Sequence, residues 1–416
     1  MTRRSISAFF NTLLSNRNWV LVFAFYLLVA LIVLYKPLFN MATHITGEIV
    51  TDYFQFHWNM WWIRHALTTG LPLYQTNYIF APHVSSLAFH TLTVFWYPLW
   101  AIVEPWAGTV PAMTAVFAAN FTLCGFFLYL LLRREGIPAS LALVGGLLLE
   151  LCPLMFSATY WTTINIMSWF WLPVLLLVWG ALANIVDNSR RWNRAADSLP
   201  VYGESGGRVL KAVLLTLLLA LVLYGMVMTD IQYPLFSIFL IVPYGLLTLW
   251  RIPDWKSRGV LIGWALVAFL IALALLWFVG PLRDILAFDR TGLAPTPVDR
   301  AVRIPFPNGF FSRITIPTNV SMGALLVPLF GLTIVISLLQ YVRRRSSPSL
   351  STGRGGGVLF WLLLALPPLV LAAGPSITIG SSEIAMPYVL LHAVFGGMFR
   401  YLNVLPPSSS SLRRCS

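Results

Sequence analysis

The feature that most constrains this chain is a series of apolar runs, each long enough to cross a lipid bilayer as a helix. Hydrophobic residues make up 58% of the 416 residues and charged residues only 10%, whereas a soluble domain has about 25% charged residues. This composition excludes an ordinary soluble enzyme, a disordered chain and a nucleic-acid-binding domain. We therefore predict an all-α fold, a polytopic transmembrane helical bundle that forms a single membrane-embedded domain over residues 1–416.

Nine of the apolar runs are predicted to span the membrane. A further run, 92–106, has only about 15 residues, contains Pro98 and is closed by Glu104 and Pro105, so we expect it to lie at the interface rather than to cross. The predicted spans are residues 19–39, 111–132, 139–158, 167–186, 210–228, 234–250, 259–279, 322–341 and 358–373.

The basic residues predict how these spans are oriented. If 92–106 does not cross, the inner segments hold 17 of the 27 Lys and Arg residues but only five of the 14 Asp and Glu residues, as the positive-inside rule requires. The N-terminus is then cytoplasmic, in a cell (inner or plasma) membrane, and the net charge of +13 reflects topology and contact with membrane lipids, not nucleic-acid binding. The segments predicted to be outside are the long loops 40–110 and 280–321 and the tail 374–416.

The first outer loop contains a patterned polar segment. Asp52, Gln55, Asn59 and Trp62 recur at spacings that place them on one side of a helix, and this predicts an interfacial helix with Asp52 at its N-terminal end. Asp52 could cap that helix or could be a functional carboxylate. Asp230, just after the run 210–228, has the same two interpretations: it could bond to Gln232 or to backbone at a helix end, or it could act on a substrate.

Short motifs follow one another in this loop and beyond it. Asp52 is followed by W-x3-W at 58–62, by Gly70-Leu-Pro72, and by P-x3-S-L-x2-H at 82–90; Asn165–Pro173, Thr229–Pro234 and Met386–Arg400 come later. In order and topology they resemble bacterial membrane glycosyltransferases of the GT-C class, such as protein O-mannosyltransferases and aminoarabinose transferases. Those enzymes take a sugar from a polyprenyl-phosphate carrier on the outer face of the membrane.

The resemblance implies an activity and a set of site residues. The chain would transfer a sugar from a polyprenyl-phosphate-linked donor to an acceptor hydroxyl, with Asp52 as the general base that accepts the hydroxyl proton. Asp230 is the second candidate acid, and arginines would neutralise the departing phosphate. The candidate substrate-binding residues are Gln55, His57, Asn59, His90, Gln232, Arg303, Arg313 and Arg400.

The chain departs from this family in two places. Thr162 to Asn165 stands where many relatives carry a second acid or a histidine, and the spacing of His57, His83 and His90 fits no metal motif. We therefore predict no cofactor and no metal, a divalent ion being the alternative. Relatives usually continue beyond the position of Arg400, so we expect the Ser-rich end to be truncated or frame-shifted, with a native tail as the alternative.

Two other functional classes fit the same composition. A multi-pass transporter, or a flippase of a lipid-linked intermediate, would need ionisable residues near the bilayer midplane, and Glu150, within the run 139–158, is one candidate. The chain could also be an inactive subunit. Most of the polar residues outside the cytoplasm lie instead in the two long loops, which favours the transferase.

Overall fold

The computed structural model describes residues 19–47, 52–195, 204–288, 376–379 and 382–385. These residues are mostly helical, which is the coarse fold class that the sequence predicts. The helices are α1 (Trp19–Val33), α2 (Tyr35–Asn40), α3 (Tyr53–Thr69), α4 (Tyr97–Ala107), α5 (Thr109–Arg134), α6 (Ala139–Glu150), α7 (Pro153–Tyr160), α8 (Trp171–Ala195), α9 (Glu204–Thr229), α10 (Gln232–Arg251), α11 (Trp255–Phe278) and α12 (Leu282–Ala287).

Four stretches of the described residues are helical, apolar and long enough to cross a membrane: Thr109–Arg134, Ala139–Phe156, Val209–Thr229 and Trp255–Phe278. Shorter apolar helices cover Trp19–Val33, Trp171–Asp187 and Leu240–Arg251. The predicted spans 322–341 and 358–373 lie outside the described residues. A mostly helical chain with four helical stretches long and apolar enough to cross a membrane is thus confirmed, whereas the crossing itself and the count of nine spans stay predictions.

The helices form two groups, each packed around one long helix, α5 or α9. α5 packs against α1, α4 and α6, and α9 packs against α8 and α11. The two groups meet where α5 contacts α8. Small residues permit these close approaches, as expected for helices in a bilayer: the Gly225 backbone of α9, for example, lies directly against the ring of Trp171 in α8.

Several predicted runs are interrupted in the structure. The run 19–39 is divided at Leu34 into α1 and α2, and the run 139–158 is divided at residues 151–152 into α6 and α7. The run 167–186 becomes helical only from Trp171, because residues 161–170 form a series of turns. The short run 92–106 forms a 3₁₀ turn and α4, whose 11 residues are too few to cross a bilayer.

The described residues contain four short strands in two antiparallel pairs. β1 (Gln75–Thr76) pairs with β2 (Ser85–Ser86), with Gln75 opposite Ser86. β3 (Ser376–Ile379) pairs with β4 (Ser382–Ala385), with Ile379 opposite Ser382.

The chain divides into two compact units: Met1–Leu151 with Ala158–Asp289, and Cys152–Ser157 with Arg290–Ser416. In the first unit, residues 52–108, 161–170, 230–231 and 279–288 meet at one end of the long helices, which we call the loop end. The Nε2 of Gln75 donates to Asp284 at 2.9 Å there. The candidate site lies at this end.

Candidate functional site

α3 forms where the sequence predicts a helix in the first outer loop. Its buried apolar residues recur three or four positions apart, which gives a helix one apolar face; they are Tyr53, Phe56, Met60 and Ile63. The helix ends at Gly70, whose φ of 71° is left-handed and is the ordinary conformation of a helix C-cap glycine.

Asp52 immediately precedes α3. Its side chain is exposed and makes no capping hydrogen bond, so the carboxylate does not have the capping role that the sequence left open. Partial loss of hydration by the surrounding protein raises the pKa of the Asp52 carboxyl above its ordinary value. Gln55, one turn further along, is also exposed. These two residues form the accessible part of the predicted polar stripe.

The rest of that stripe is buried. Asn59 is fully buried, donates from Nδ2 to the Thr91 carbonyl at 2.7 Å and places Oδ1 2.8 Å from His90 Nε2. Trp62 is also buried and donates from Nε1 to the Leu73 carbonyl at 2.9 Å. The loop 70–93 folds back over α3, so these polar atoms hold the loop in place.

The donor and the acceptor can be assigned in the hydrogen bond between Asn59 and His90. The Asn59 Oδ1 can only accept, so the proton must lie on His90 Nε2. Burial lowers the pKa of His90, which keeps the ring neutral. His90 therefore anchors the loop as a neutral donor.

Asp230 is the most enclosed acidic residue of the loop end. Only 5% of its surface is exposed. Its Oδ2 accepts from Asn165 Nδ2 at 2.6 Å, and its Oδ1 accepts from the backbone N–H of Gln232 at 2.8 Å. Tyr233 completes the group by donating from its hydroxyl to the Asn165 carbonyl at 2.6 Å.

Burial and hydrogen bonds shift the pKa of the Asp230 carboxyl in opposite directions. Desolvation raises the pKa of Asp230, whereas the bonds from Asn165, Gln232 and Thr91 lower it; burial is the larger effect, and the net shift is upward. The Oδ1 of Asn165 is buried and has no hydrogen-bond partner among the described residues.

A small cavity lies between the loop that covers α3 and the segment that carries Asp230. Its wall is formed on one side by residues 88–94 of the first loop and on the other by residues 227–231. Asn59, His90, Asp230 and Gln232 thus belong to one contiguous group, and four of the predicted site residues meet here. The polar side chains in the wall are Tyr74, His90, Thr91, Thr93, Thr229 and Asp230.

Two threonines near this group have strained backbones. Thr93 has φ of 54° and Thr162 has φ of 60°, a conformation that β-branched residues rarely adopt. Both are buried. Such strain persists only where the surrounding structure imposes it, and it is frequent at functional sites.

Other predicted residues have separate surroundings. The Nδ1 of His57 lies 2.9 Å from the Thr109 hydroxyl, and burial lowers the pKa of His57 to about 4. Arg64, which was not among the predicted residues, pairs with Glu104 at 2.6 Å and lies over the Trp100 ring. Arg303, Arg313 and Arg400 lie outside the described residues.

Within the described ranges, no cluster of three or more His, Cys, Asp or Glu side chains could hold a metal ion. No protein-family model, curated protein or solved structure matches the chain. The function is therefore argued from the site itself.

Sequence reasoning missed the polar contacts that residues 161–170 make. Asn165 and Ser168 lie in the motif 165–173, and Asn165 also marks a departure from the family pattern, but neither was predicted as a site residue, and Asn120 was not singled out. The Ser168 hydroxyl donates to Asn120 Oδ1 at 2.8 Å and accepts from Trp96 Nε1 at 3.0 Å. Asn120 could have been found, since an amide within an apolar run must face a protein partner.

Proposed function

We propose that the chain is an integral membrane glycosyltransferase that transfers a sugar from a polyprenyl-phosphate-linked donor to an acceptor hydroxyl. The observation that carries the proposal is the environment of Asp52, an exposed carboxylate that makes no capping hydrogen bond at the start of α3. The resemblance of the loop motifs to GT-C enzymes supports the same assignment.

Asp52 would act as the general base. In that role its carboxylate accepts the proton of the acceptor hydroxyl while the hydroxyl oxygen bonds to the anomeric carbon of the sugar and the phosphate leaves. A raised pKa suits a base, because a carboxylate that binds a proton more strongly is a better proton acceptor. The carboxyl remains ionised at neutral pH as long as its pKa stays below that pH.

Asp230 would have a different part in the reaction. Its oxygens already accept from Asn165 and from Gln232 N–H, so it is less available to take a proton from a substrate. It would position the wall of the cavity, and the cavity would receive a polar part of a substrate. Asn59 and His90 would hold the opposite wall.

The orientation and the full topology belong to this proposal. Nine crossings with a cytoplasmic N-terminus would place the loop end on the outer face, where lipid-linked sugars are presented. Arg303, Arg313 and Arg400 would then neutralise the departing phosphate.

The test is sugar transfer by membranes that contain the full chain. Labelled polyprenyl-phosphate sugars are supplied to the wild type, to Asp52→Asn and to Asp284→Asn, and transfer to membrane acceptors is measured. Loss of a general base lowers such rates by about 10²–10⁴-fold, so we expect that loss for D52N. Asp284 is the matched control, a loop-end carboxylate bonded to Gln75, and D284N should stay within about threefold of the wild type.

Two results would contradict the proposal. Equal transfer by D52N and the wild type would remove Asp52 as the base. If the wild type transfers no sugar but moves labelled lipid-linked sugar across the membrane, the chain is a flippase. That second function is favoured by one observation, the buried Glu150 within an apolar helical stretch, because intramembrane ionisable residues often mark transport pathways.

A further inference from the structure

Glu150 lies apart from the loop-end site, at the last residue of α6 and inside the apolar stretch Ala139–Phe156. Its side chain is 0% exposed. An ionisable group at such a position is costly and is usually functional.

The carboxyl has no hydrogen-bond partner in the described part of the chain, at either Oε1 or Oε2. The titratable group that faces it is Tyr26 of α1, but the Tyr26 hydroxyl donates instead to the Leu143 carbonyl at 2.9 Å. Beyond Tyr26 lies Tyr129 of α5, with its ring 6.5 Å from the Tyr26 ring. Among these described neighbours there is no cation to balance a carboxylate.

Two neighbouring helices have glycines where they face Tyr26 and Glu150. A Cβ on Gly125 of α5 would lie 2.5 Å from the Tyr26 ring and 3.1 Å from Glu150 Oε2. A Cβ on Gly146 of α6 would collide with the Tyr26 hydroxyl. Two glycines thus leave the space that Tyr26 and Glu150 occupy.

The geometry points to a proton-binding site inside the membrane, with Glu150 as its carboxyl group. A bare carboxylate buried without hydrogen-bond donors is strongly disfavoured, whereas the neutral acid avoids most of that cost. The ligand is a proton, and the site differs in place and in chemistry from the loop-end cavity. The assignment of this proton-binding site does not depend on whether the chain transfers sugars.

A hydrophobic carbodiimide tests this assignment, because it reaches apolar sites and reacts with protonated carboxyl groups. The carboxyl proton moves to a carbodiimide nitrogen and the carboxylate oxygen bonds to the central carbon, so the whole reagent is added and nothing leaves. The adduct is located by peptide mass spectrometry on the full chain in lipid vesicles. We expect an adduct on Glu150 that declines as the pH is raised from about 6 to 9, as the acid loses its proton.

Two variants serve as controls. Glu150→Gln keeps the size and the neutral state, so it should lose the adduct while its melting temperature stays within about 2 °C of the wild type. Glu104→Gln removes a partly exposed, ion-paired carboxyl and should leave the Glu150 adduct unchanged.

Three results would overturn the assignment. One is a folded wild type with no adduct on Glu150 anywhere in that pH range. A second is equal labelling by a water-soluble carbodiimide, which would show that water reaches the group. The third is an E150Q chain that fails to fold while Glu150→Asp folds and gives no adduct at its carboxyl group, since that would show that the fold requires the ionised carboxylate.

Discussion

At the scale of single residues, the two walls of the loop-end cavity are held by hydrogen bonds between buried polar groups. Asp230 accepts two bonds whose geometry is defined, from Asn165 and from Gln232 N–H. Asn59 uses both ends of its amide, on Thr91 and on His90. Removing one partner from such a group leaves another polar atom buried without a bond, which costs more than the bond itself contributes.

His57 makes stability depend on pH. The pKa of His57 in the folded chain is about 4, below the ordinary value. Between about pH 4 and pH 6.5 the unfolded chain therefore binds a proton at His57, whereas the folded chain does not. Stability from His57 is full above about pH 6.5 and is lost as the pH falls toward 4, by up to about 3 kcal/mol. Thermal unfolding in detergent should show this loss in the wild type and a smaller one in His57→Gln.

The matched control for His57 is His83, which is exposed. His83→Gln should keep the full loss of melting temperature on acidification. If H57Q loses as much as the wild type, the buried ring of His57 is not the cause.

The residue types at the site were visible in the sequence, but their partners were not. Asp52 and Asp230 were both predicted as candidate acids. Only the fold shows that Asp52 is exposed and that Asp230 accepts a hydrogen bond from Asn165 across 65 residues of chain. Helical spacing predicts which side chains share a face, not what covers that face, so the burial of Asn59 beneath the loop 70–93 was not predicted.

At the scale of elements, the packing of α8 on α9 depends on one glycine. Gly225 of α9 lies against the ring of Trp171, whose Nε1 donates to the Thr229 hydroxyl at 3.0 Å. Gly225→Ala would force the ring to move and should cost about 1–3 kcal/mol. The measurement is the melting temperature of the purified chain.

Gly263 of α11 is the matched control, because a Cβ there would meet no atom within 4 Å. Gly263→Ala should leave the melting temperature unchanged or raise it, since alanine favours a helix by about 1 kcal/mol over glycine. An equal loss in both variants would show that the effect does not come from the Trp171 contact.

Most helices of the described residues could be predicted from the sequence, but the residues at which they begin and end could not be predicted as well. Long apolar runs predict α5, α9 and α11 because their length and apolar composition leave few alternatives. The break at Leu34 was not predicted. A short outer turn was predicted at 159–166, but the structure extends the turns to residue 170, inside the predicted span 167–186. Hydropathy averages over a window and cannot detect a change of direction within apolar sequence.

At the scale of the whole molecule, the orientation in the membrane is the main open prediction. A cysteine at position 77 of the loop end and a cysteine at position 256 near the start of α11 should react differently with a membrane-impermeant maleimide. Asn77 and Lys256 are both exposed. With the loop end outside, Asn77→Cys should be labelled in intact cells and Lys256→Cys only after lysis.

The unmodified chain provides the background for this experiment, because it has three cysteines of its own. Labelling of K256C and not N77C in intact cells would invert the predicted topology and would place Asp52 on the cytoplasmic side. Labelling of both variants in intact cells would show instead that the run 92–106 crosses the membrane, which inverts only the segments that follow it.

The hydrogen bonds of Asp230 also set an order of events during biosynthesis. Asn59 and His90 can meet once the first 90 residues have left the ribosome, but Asp230 follows 140 residues later in the sequence. At about 5–20 residues per second, the second wall of the cavity is synthesised roughly 7–28 s after the first. In the later part of that interval Asn165 is present without its carboxylate partner, so the nascent chain passes through a stage in which its polar loop end is half assembled.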